Sequence, residues 1–379
     1  MSDGPRRRLP LAVSLAGLAS ALLVGCAPRA APLEPSPVSP PAEIRTAESR
    51  GIDPLIPARV ELGRRLFYDP RLSLNQTQAC ASCHRQALAF SDGRVHPIGS
   101  TGQRHRRNTL ALANLARETN LTWANSLLPS LEQQALVPMF GDSPIELGLA
   151  GREAVVLHRL SEDDDYVALF ARAFPGSGAP FTVANVTQAL ACFERALVSA
   201  DSPFDRYLRH DRDALSGAAR LGLALFRSET LGCSRCHGGM TFMEADPEVV
   251  RVEGNFHNTG LYNLDGAGAY PADDPGLMEQ TAKPSDMGRF RTPSLRNVAL
   301  TAPYMHDGSI RTLREVVDHY AAGGRAAENG GRPSPLRSPF VRRFELTSDD
   351  RADLVAFLEA LTDESFVSDP RYADPFVEQ

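Results

Sequence analysis

Two pentapeptides decide how this chain of 379 residues is organised: CASCH at residues 80–84 and CSRCH at residues 233–237. In each of them, two cysteines separated by two residues precede a histidine, which is the pattern for covalent attachment of a c-type haem. The two thiols bond to the vinyl groups of one haem, and the adjacent histidine is placed to ligate its iron. The sequence therefore predicts two haem c groups. Their attachment and ligand residues are Cys80, Cys83, His84, Cys233, Cys236 and His237.

The sequence upstream of the two pentapeptides repeats. The pattern LGxxLF occurs at residues 62–67 and again at residues 221–226. Such a repeat indicates two related structural units. We expect a mostly α-helical protein with two cytochrome c-like domains, each carrying one covalent haem c, with long loops over the haems. The predicted domains span residues 55–205 and residues 206–379, each with one of the two haems.

Apolar residues at helical spacing predict helices at residues 183–200, 310–320 and 348–361. No segment shows the sustained alternation of apolar and polar residues that is typical of a strand. Cys192 lies on the apolar stripe of the first of these helices, and we expect it to be a buried thiol.

Residues 1–25 have the features of an export signal. Three arginines precede an apolar run at residues 9–24, which is short for a membrane span. The run ends in LVGC, which resembles the lipobox of bacterial lipoproteins, so Cys26 is the expected lipid anchor. An ordinary secretory signal with a chance cysteine is the alternative. Residues 26–54 are rich in proline and predict an extended tether.

The charge balance argues against a nucleic-acid partner. The chain has 46 acidic and 40 basic residues, a net charge of −6, and its arginines form no stripe. A nucleic-acid-binding surface needs concentrated positive charge. We therefore expect no nucleic acid among the partners.

With the lipobox, the expected location is the periplasm, where a lipoprotein would be anchored to the membrane, most simply the outer membrane.

Four further motifs accompany the pentapeptides. They are RNTL at 107–110, LEQQA at 131–135, PSLRN at 293–297 and TAPYMHDG at 301–308. In combination, the sequence resembles the bacterial di-haem cytochrome c peroxidase and MauG superfamily over about residues 55–365. The segments LTWAN at 121–125 and PMFG at 138–141, together with the lipobox, most resemble the MbnH-type enzymes, which are MauG-like and associated with copper-binding partner proteins.

The resemblance implies that the first haem reacts with peroxide. In the superfamily a glutamate in the distal pocket moves the proton that lets the O–O bond break, and here the matching residue is Glu146. Gln134 and Pro138 match residues that line the same pocket. The alternative is that Glu146 is a solvated loop acid.

The resemblance also bears on access to the first iron. The peroxidases of the superfamily usually block it with a histidine eight residues before the asparagine of the RNTL motif, but here that position is Ser100. We therefore expect an open first haem. His96 and His105 are close in sequence and are the alternatives, although His105 lies among arginines and is expected near haem propionates or solvent.

The second iron has His237 as one ligand, and the family has its other ligand 14 residues after His306, which is Tyr320 here. On a helix Tyr320 shares a face with the apolar Val317, whereas His319 points the other way. A phenolate ligand stabilises oxidised iron, while a methionine ligand raises the potential. The alternative is that Tyr320 only packs near a haem with another ligand, such as Met305.

Two more features follow from the resemblance. Trp123, the only tryptophan, lies about where the superfamily has an aromatic bridge between its haems, and a merely packing tryptophan is the alternative. Asn108, Thr301 and Pro303 match a calcium site between the haems, with one side-chain and two main-chain oxygens as ligands. His257 and His306 are expected to be structural or to contact the second haem.

The resemblance implies an enzyme that uses hydrogen peroxide to oxidise a residue, for instance a tryptophan, of a periplasmic or membrane-attached partner protein, with a copper-binding protein as one candidate. The second hypothesis is a peroxidase that reduces hydrogen peroxide to water with electrons from a small cytochrome c or cupredoxin. A third is a di-haem electron carrier without enzymatic activity, which would need no distal glutamate.

Overall fold

The computed structural model describes Met1 and residues 56–325 and 331–377. The predicted signal peptide, the anchor Cys26 and the tether lie outside the described residues. Among the helices of the described ranges, none is both long enough and apolar enough to cross a membrane.

Helices and long loops build the described part of the chain. Numbered in chain order, the helices are α1 (Ile56–Tyr68), α2 (Leu131–Phe140), α3 (Glu153–Ser161), α4 (Asp164–Ala173), α5 (Val183–Ala196), α6 (Pro203–Leu208), α7 (Gly217–Arg227), α8 (Pro247–Glu253), α9 (Met278–Thr281), α10 (Leu313–Ala322), α11 (Ser348–Glu359) and α12 (Glu364–Ser368). Strands β1 (Phe256–His257) and β2 (Phe290–Arg291) pair antiparallel, with Phe256 opposite Arg291. Single turns of 3-10 helix hold Cys80–Ser82 and Cys233–Arg235.

Threonine caps fix where the predicted helices begin. Thr182, Thr312 and Thr347 precede α5, α10 and α11, and each hydroxyl accepts a hydrogen bond from the backbone N–H three residues further on. The ends differ from the predicted ones by up to four residues. The largest difference is at α5, which stops at Ala196 because the backbone turns out of the helical conformation at the buried Leu197.

The first core forms where α1 crosses α5. Leu62 and Phe67 are fully buried in it. Gly63 lets the two helices touch, because a Cβ at this position would overlap the carbonyl oxygen of Ala189. Cys192 is only partly buried, so it is less buried than expected.

The second core repeats this crossing with α7 and α11. A Cβ at Gly222 would overlap the carbonyl oxygen of Asp353, and the rings of Phe226 and Phe357 lie 5.1 Å apart in the core behind it. Each LGxxLF segment therefore supplies the glycine that lets two helices touch at their crossing. The predicted fold class, mostly α-helical with two cytochrome c-like parts, is confirmed.

The last helix returns to the first core. Phe366 of α12 and Tyr372 beyond it both pack there, with their rings 5.6 Å apart. Both cores belong to one compact unit. The boundary between residues 205 and 206 stays a prediction. The segment after residue 363 lies on the first core, although it belongs to the second half of the sequence.

Candidate haem sites

The first pentapeptide borders a cavity, here called the first cavity, which is lined by Cys80, Cys83 and His84 among others. The N–H groups of Cys83 and His84 both donate to the carbonyl oxygen of Cys80, so the pentapeptide is folded into one tight turn. His84 Nδ1 lies 2.7 Å from the carbonyl oxygen of Phe90. Burial lowers the pKa of His84, so a neutral ring donates through Nδ1 and keeps Nε2 for a metal.

The second pentapeptide repeats this arrangement in a second cavity, which is lined by Cys233, Cys236 and His237 and by many apolar side chains. His237 Nδ1 lies 3.1 Å from the carbonyl oxygen of Phe242, and burial lowers the pKa of His237 to about 4. In both cavities two thiols and an oriented neutral imidazole line the same space. Each cavity therefore fits one covalently attached haem c.

Removal of one thiol in each site tests this fit. Cys83→Ala and Cys236→Ala each leave a single thioether position, so we expect each variant to lose one of the two covalently held haems. Pyridine haemochrome spectra and mass spectrometry of the intact chain measure the loss. Cys192→Ala is the matched control and should keep both haems. Two intact c-type haems in both motif variants would contradict the assignment.

The residues predicted to handle peroxide come together in the first cavity. Glu146, Gln134 and Pro138 line it along with His84. Gln134 and Pro138 are on α2, while Glu146 is on the loop that follows it. Burial raises the pKa of Glu146 to about 7, so near neutral pH this carboxyl group both accepts and donates a proton readily. Its side chain is 27% exposed, so the choice between this role and a solvated loop acid stays a prediction.

The loop that carries Ser100 is fastened to the segment of Glu146. The backbone N–H of Ser100 donates to the carbonyl oxygen of Glu146 at 3.0 Å. The side-chain oxygen of Gln103 accepts a hydrogen bond from the N–H of Ile145 at 2.8 Å. A Cβ at Gly99 would overlap the carbonyl oxygen of Ile145, so the close approach requires glycine. The backbone of Ser100 thus holds this loop against Glu146.

His105 lines the first cavity, and its Nε2 is 3.8 Å from Oε1 of Glu146. Its side chain is 18% exposed, so the expectation of a place near solvent or propionates stays a prediction. The extended segment turns alternate side chains to opposite sides: Arg104 and Arg106 are exposed and His105 points inward.

Tyr320 lines the second cavity with His237, as its helical face predicted. His319 is directed away, with Nε2 3.1 Å from the carbonyl oxygen of Thr259. Burial raises the pKa of Tyr320, so its phenolate form requires a nearby cation, which a ferric iron would supply. Met305 and His306 also border this cavity.

The two histidines expected to be structural or to contact the second haem both border the second cavity. The ring of His306 stacks on Phe290 with centroids 3.6 Å apart. His257 Nδ1 lies 3.1 Å from a carboxylate oxygen of Glu253. Each ring is thus held by a neighbour that orients it.

Trp123 and Asn108 line both cavities. The indole N–H of Trp123 donates to the carbonyl oxygen of Asn108 at 2.7 Å. The side-chain amide of Asn108 donates to the carbonyl oxygen of Arg94 at 2.6 Å, which leaves its Oδ1 for another partner. Thr301 and Pro303 border the second cavity together with Asn108. Asn108 therefore lies beside the predicted bridge, and it shares the second cavity with the other two predicted calcium ligands.

Comparison with known proteins agrees with this geometry. A model of the family described as di-haem cytochrome c peroxidase matches residues 57–213. MauG of Methylorubrum extorquens is 37% identical over 311 residues, which cover 82% of this chain and 79% of that protein. The chain belongs to the di-haem cytochrome c peroxidase and MauG family. The resemblance predicted from the motifs is confirmed.

Other relatives extend the comparison. The cytochrome c551 peroxidase of Pseudomonas aeruginosa is 31% identical, with 85% of this chain and 83% of that protein covered. The crystal structure of a MauG-like protein associated with microbial copper homeostasis has 45% sequence identity and a TM-score of 0.79, covering 84% of this chain and 93% of that one. As a member of the family, the protein is a haem-dependent oxidoreductase with two haem c groups.

Two buried residues of these cavities were missed by sequence reasoning. Glu194 on α5 lines the first cavity, and burial raises its pKa to about 8. Its signal was a carboxyl group within an apolar helical stripe, four residues after Leu190. Arg291 on β2 lines the second cavity, and burial lowers its pKa to about 10. A buried guanidinium of this kind fits a haem propionate, and its only signal was the position just before the PSLRN motif.

Proposed function

We propose that this protein is a MauG-like enzyme of the MbnH type, which uses hydrogen peroxide to oxidise a residue of a partner protein. The observation that carries the proposal is Tyr320, which lines the second cavity with His237 on the family's ligand helix. A phenolate there would favour oxidised iron, whereas an electron-gathering haem would need a ligand such as methionine. When bound, the two haems supply the redox chemistry, since they take two electrons from the partner and pass them to peroxide.

The first cavity supplies the proton chemistry of this reaction. Glu146 takes the proton from one peroxide oxygen and delivers it to the other, which leaves as water. Its pKa of about 7 suits both steps. Gln134 and Pro138 border the same space from α2 and confine the substrate beside the carboxyl group.

Trp123 is proposed as the electron path between the two cavities. Its ring borders both of them and is fixed by the hydrogen bond to Asn108. We propose that a calcium ion, bound by Oδ1 of Asn108 and the main-chain oxygens of Thr301 and Pro303, holds this segment in place.

The calcium proposal predicts a reversible loss of communication between the haems. Treatment with EGTA should slow electron redistribution between them severalfold, because the segment that orients Trp123 loses its anchor. Stopped-flow spectra after peroxide addition measure the rate, and added calcium should restore it. Asn108→Ala should reproduce the effect without responding to calcium. An unchanged rate after removal of all calcium, verified by elemental analysis, would rule the ion out as an anchor.

We propose that the protein is a periplasmic lipoprotein held at the outer membrane by Cys26, outside the described residues. The partner is then a periplasmic or membrane-attached protein. The structural relative associated with copper homeostasis makes a copper-binding protein a specific candidate.

The anchor can be tested by cell fractionation. Cys26→Ser should move the protein from the membrane fraction to the soluble periplasmic fraction, because the acyl chains can no longer be attached. Labelled palmitate should be incorporated by the wild type only. A wild-type protein that is fully soluble after export would show that the cysteine is not lipidated.

One structural observation favours the peroxidase hypothesis. Met305 also borders the second cavity, and a Met-ligated haem would gather electrons from a small cytochrome c or cupredoxin and use them to reduce peroxide to water.

EPR of the purified ferric protein separates the two functions. The proposed enzyme should show one high-spin haem and one low-spin haem with histidine and tyrosine ligands, before any reductant is added. A low-spin signal from histidine and methionine at the second haem would contradict the proposal and favour the peroxidase.

A further inference from the structure

The first cavity holds a second proton-carrying side chain beside Glu146. The imidazole Nε2 of His105 is 3.8 Å from Oε1 of Glu146. This Nε2 atom is fully buried and has no hydrogen-bond partner within the described part of the chain. The side chains are not sealed from water, since that of His105 is 18% exposed and that of Glu146 is 27% exposed. Side chains that pass protons between solvent and the cavity must be partly exposed in this way.

The backbone holds the two groups at this separation. The N–H of His105 donates to the carbonyl oxygen of Pro97 at 2.9 Å, and the hairpin between them is closed by pairing of Ile98 with Arg104. The same hairpin binds the segment of Glu146 through Ser100 and Gln103, as described above. One rigid loop therefore sets the positions of both side chains, so their proximity does not depend on a flexible surface contact.

We propose that His105 is a positioning residue that works with Glu146 as an acid–base pair, orienting the carboxyl group and passing protons to it from solvent. The inference rests on the proposed function of the first haem. A gap of 3.8 Å exceeds a direct hydrogen bond but is closed by a small rotation or by one bridging water.

Proton balance gives the pair its role. Reduction of one hydrogen peroxide to two waters consumes two electrons, which the partner residue supplies, and two protons. Glu146 alone recycles the protons that peroxide brings, but the two additional protons must enter from solvent. His105 accepts each of them on its other ring nitrogen, Nδ1, as the proton on Nε2 passes to the carboxylate of Glu146, which delivers it to the oxygen being reduced. Both groups end in their starting protonation state.

The charged surroundings favour a neutral resting imidazole. Burial lowers the pKa of His105, His84 lowers it further, and Asp92 opposes this. Arg107 and Glu194 also border the cavity. A neutral imidazole with its proton on Nε2 donates toward the carboxylate and accepts a new proton on Nδ1, which is what the relay requires.

The test compares His105→Gln with Glu146→Gln and with the double variant. Glutamine keeps a polar group at position 105 but cannot carry a proton. We expect His105→Gln to slow the reaction of the haem-loaded protein with peroxide by about tenfold to a hundredfold at neutral pH. We also expect it to change the pH profile. Because the two residues act as one unit, the double variant should be no slower than Glu146→Gln alone.

A matched control exists on α3, where His158 Nδ1 lies 3.7 Å from Glu162 Oε1 in an exposed pair. His158→Gln should leave the rate and its pH profile unchanged. Binding of cyanide to the ferric protein gives a readout without turnover, because hydrogen cyanide must give its proton to a base in the cavity. Its affinity should fall about tenfold in His105→Gln. If this variant fails to load haem, His105→Asn is measured in its place.

The outcomes separate this inference from the proposed function. Wild-type peroxide rates and cyanide affinity in His105→Gln, with Glu146→Gln slow, would overturn the pair and leave the role of Glu146 standing. Additive losses in the double variant would also overturn it, since they would show two independent effects. A normal peroxide rate in Glu146→Gln would overturn both the pair and the proposed peroxide chemistry.

Discussion

Glu146→Gln is expected to slow the reaction with hydrogen peroxide by about two to four orders of magnitude, which is the usual contribution of a general acid–base group. Glutamine has nearly the same shape, so the cavity and the haem content should be retained. What is lost is the proton transfer between the two peroxide oxygens. Stopped-flow absorbance of the haem at varied peroxide concentration gives the second-order rate constant directly.

The pH dependence of this rate follows from the pKa of Glu146, which burial raises to about 7. The carboxylate is the form that takes the first proton from peroxide, so the wild-type rate should rise between about pH 6 and pH 8 and then level off. The glutamine variant should show no such rise. Glu162→Gln is the control, since Glu162 is 71% exposed on the protein surface. An unchanged peroxide rate in Glu146→Gln would exclude this residue from the reaction.

The repeat in the sequence predicted the fold well where short patterns determine it. The glycines of both LGxxLF segments, Gly63 and Gly222, sit at helix crossings where a side chain would clash with backbone, so pattern and packing coincide. The return of α12 to the first core was not predictable in this way. Phe366 and Tyr372 reach that core from the far end of the chain, and no local pattern states which of two cores an apolar residue joins.

The same distinction between local patterns and distant contacts applies to the candidate sites. The haem pentapeptides are contiguous, and their spacing alone carries the chemistry, so their cysteines and histidines could be named from the sequence. The lining of the first cavity comes from distant segments, and only a resemblance pointed to Glu146. A run of arginines normally marks a solvated face, so the sequence alone did not place His105 beside Glu146. The hairpin makes alternate residues of this run point inward, and that geometry depends on contacts with Ile145 and Glu146.

Tyr320→Phe should have the largest effect on the second haem. The ring that fills the cavity is kept, so packing is preserved, but the oxygen that would ligate the iron is removed. We expect the low-spin EPR signal of the second haem to be lost or replaced, its reduction potential to rise, and oxidation of a partner protein to be abolished. Peroxide should still react at the first haem, because Glu146 and His84 belong to the other cavity.

Tyr304→Phe is the matched control in the same cavity. The hydroxyl of Tyr304 donates to the carbonyl oxygen of Val298, so it is already occupied and its loss should leave the haem spectra unchanged. Tyr320→Met should raise the potential of the second haem further and move the protein toward peroxidase behaviour, with rapid electron uptake from a small cytochrome c. Spectroelectrochemical titration measures both potentials.

If Tyr320→Phe keeps the wild-type low-spin spectrum, Tyr320 only packs and the iron has another ligand. Met305 and His306 are then the residues to replace, because both border the second cavity. His319 is a weaker choice, since its ring is directed at the carbonyl oxygen of Thr259. A methionine ligand found in this way would make the second haem an acceptor of electrons, and the protein would be expected to turn over peroxide with a soluble donor instead of oxidising a partner residue.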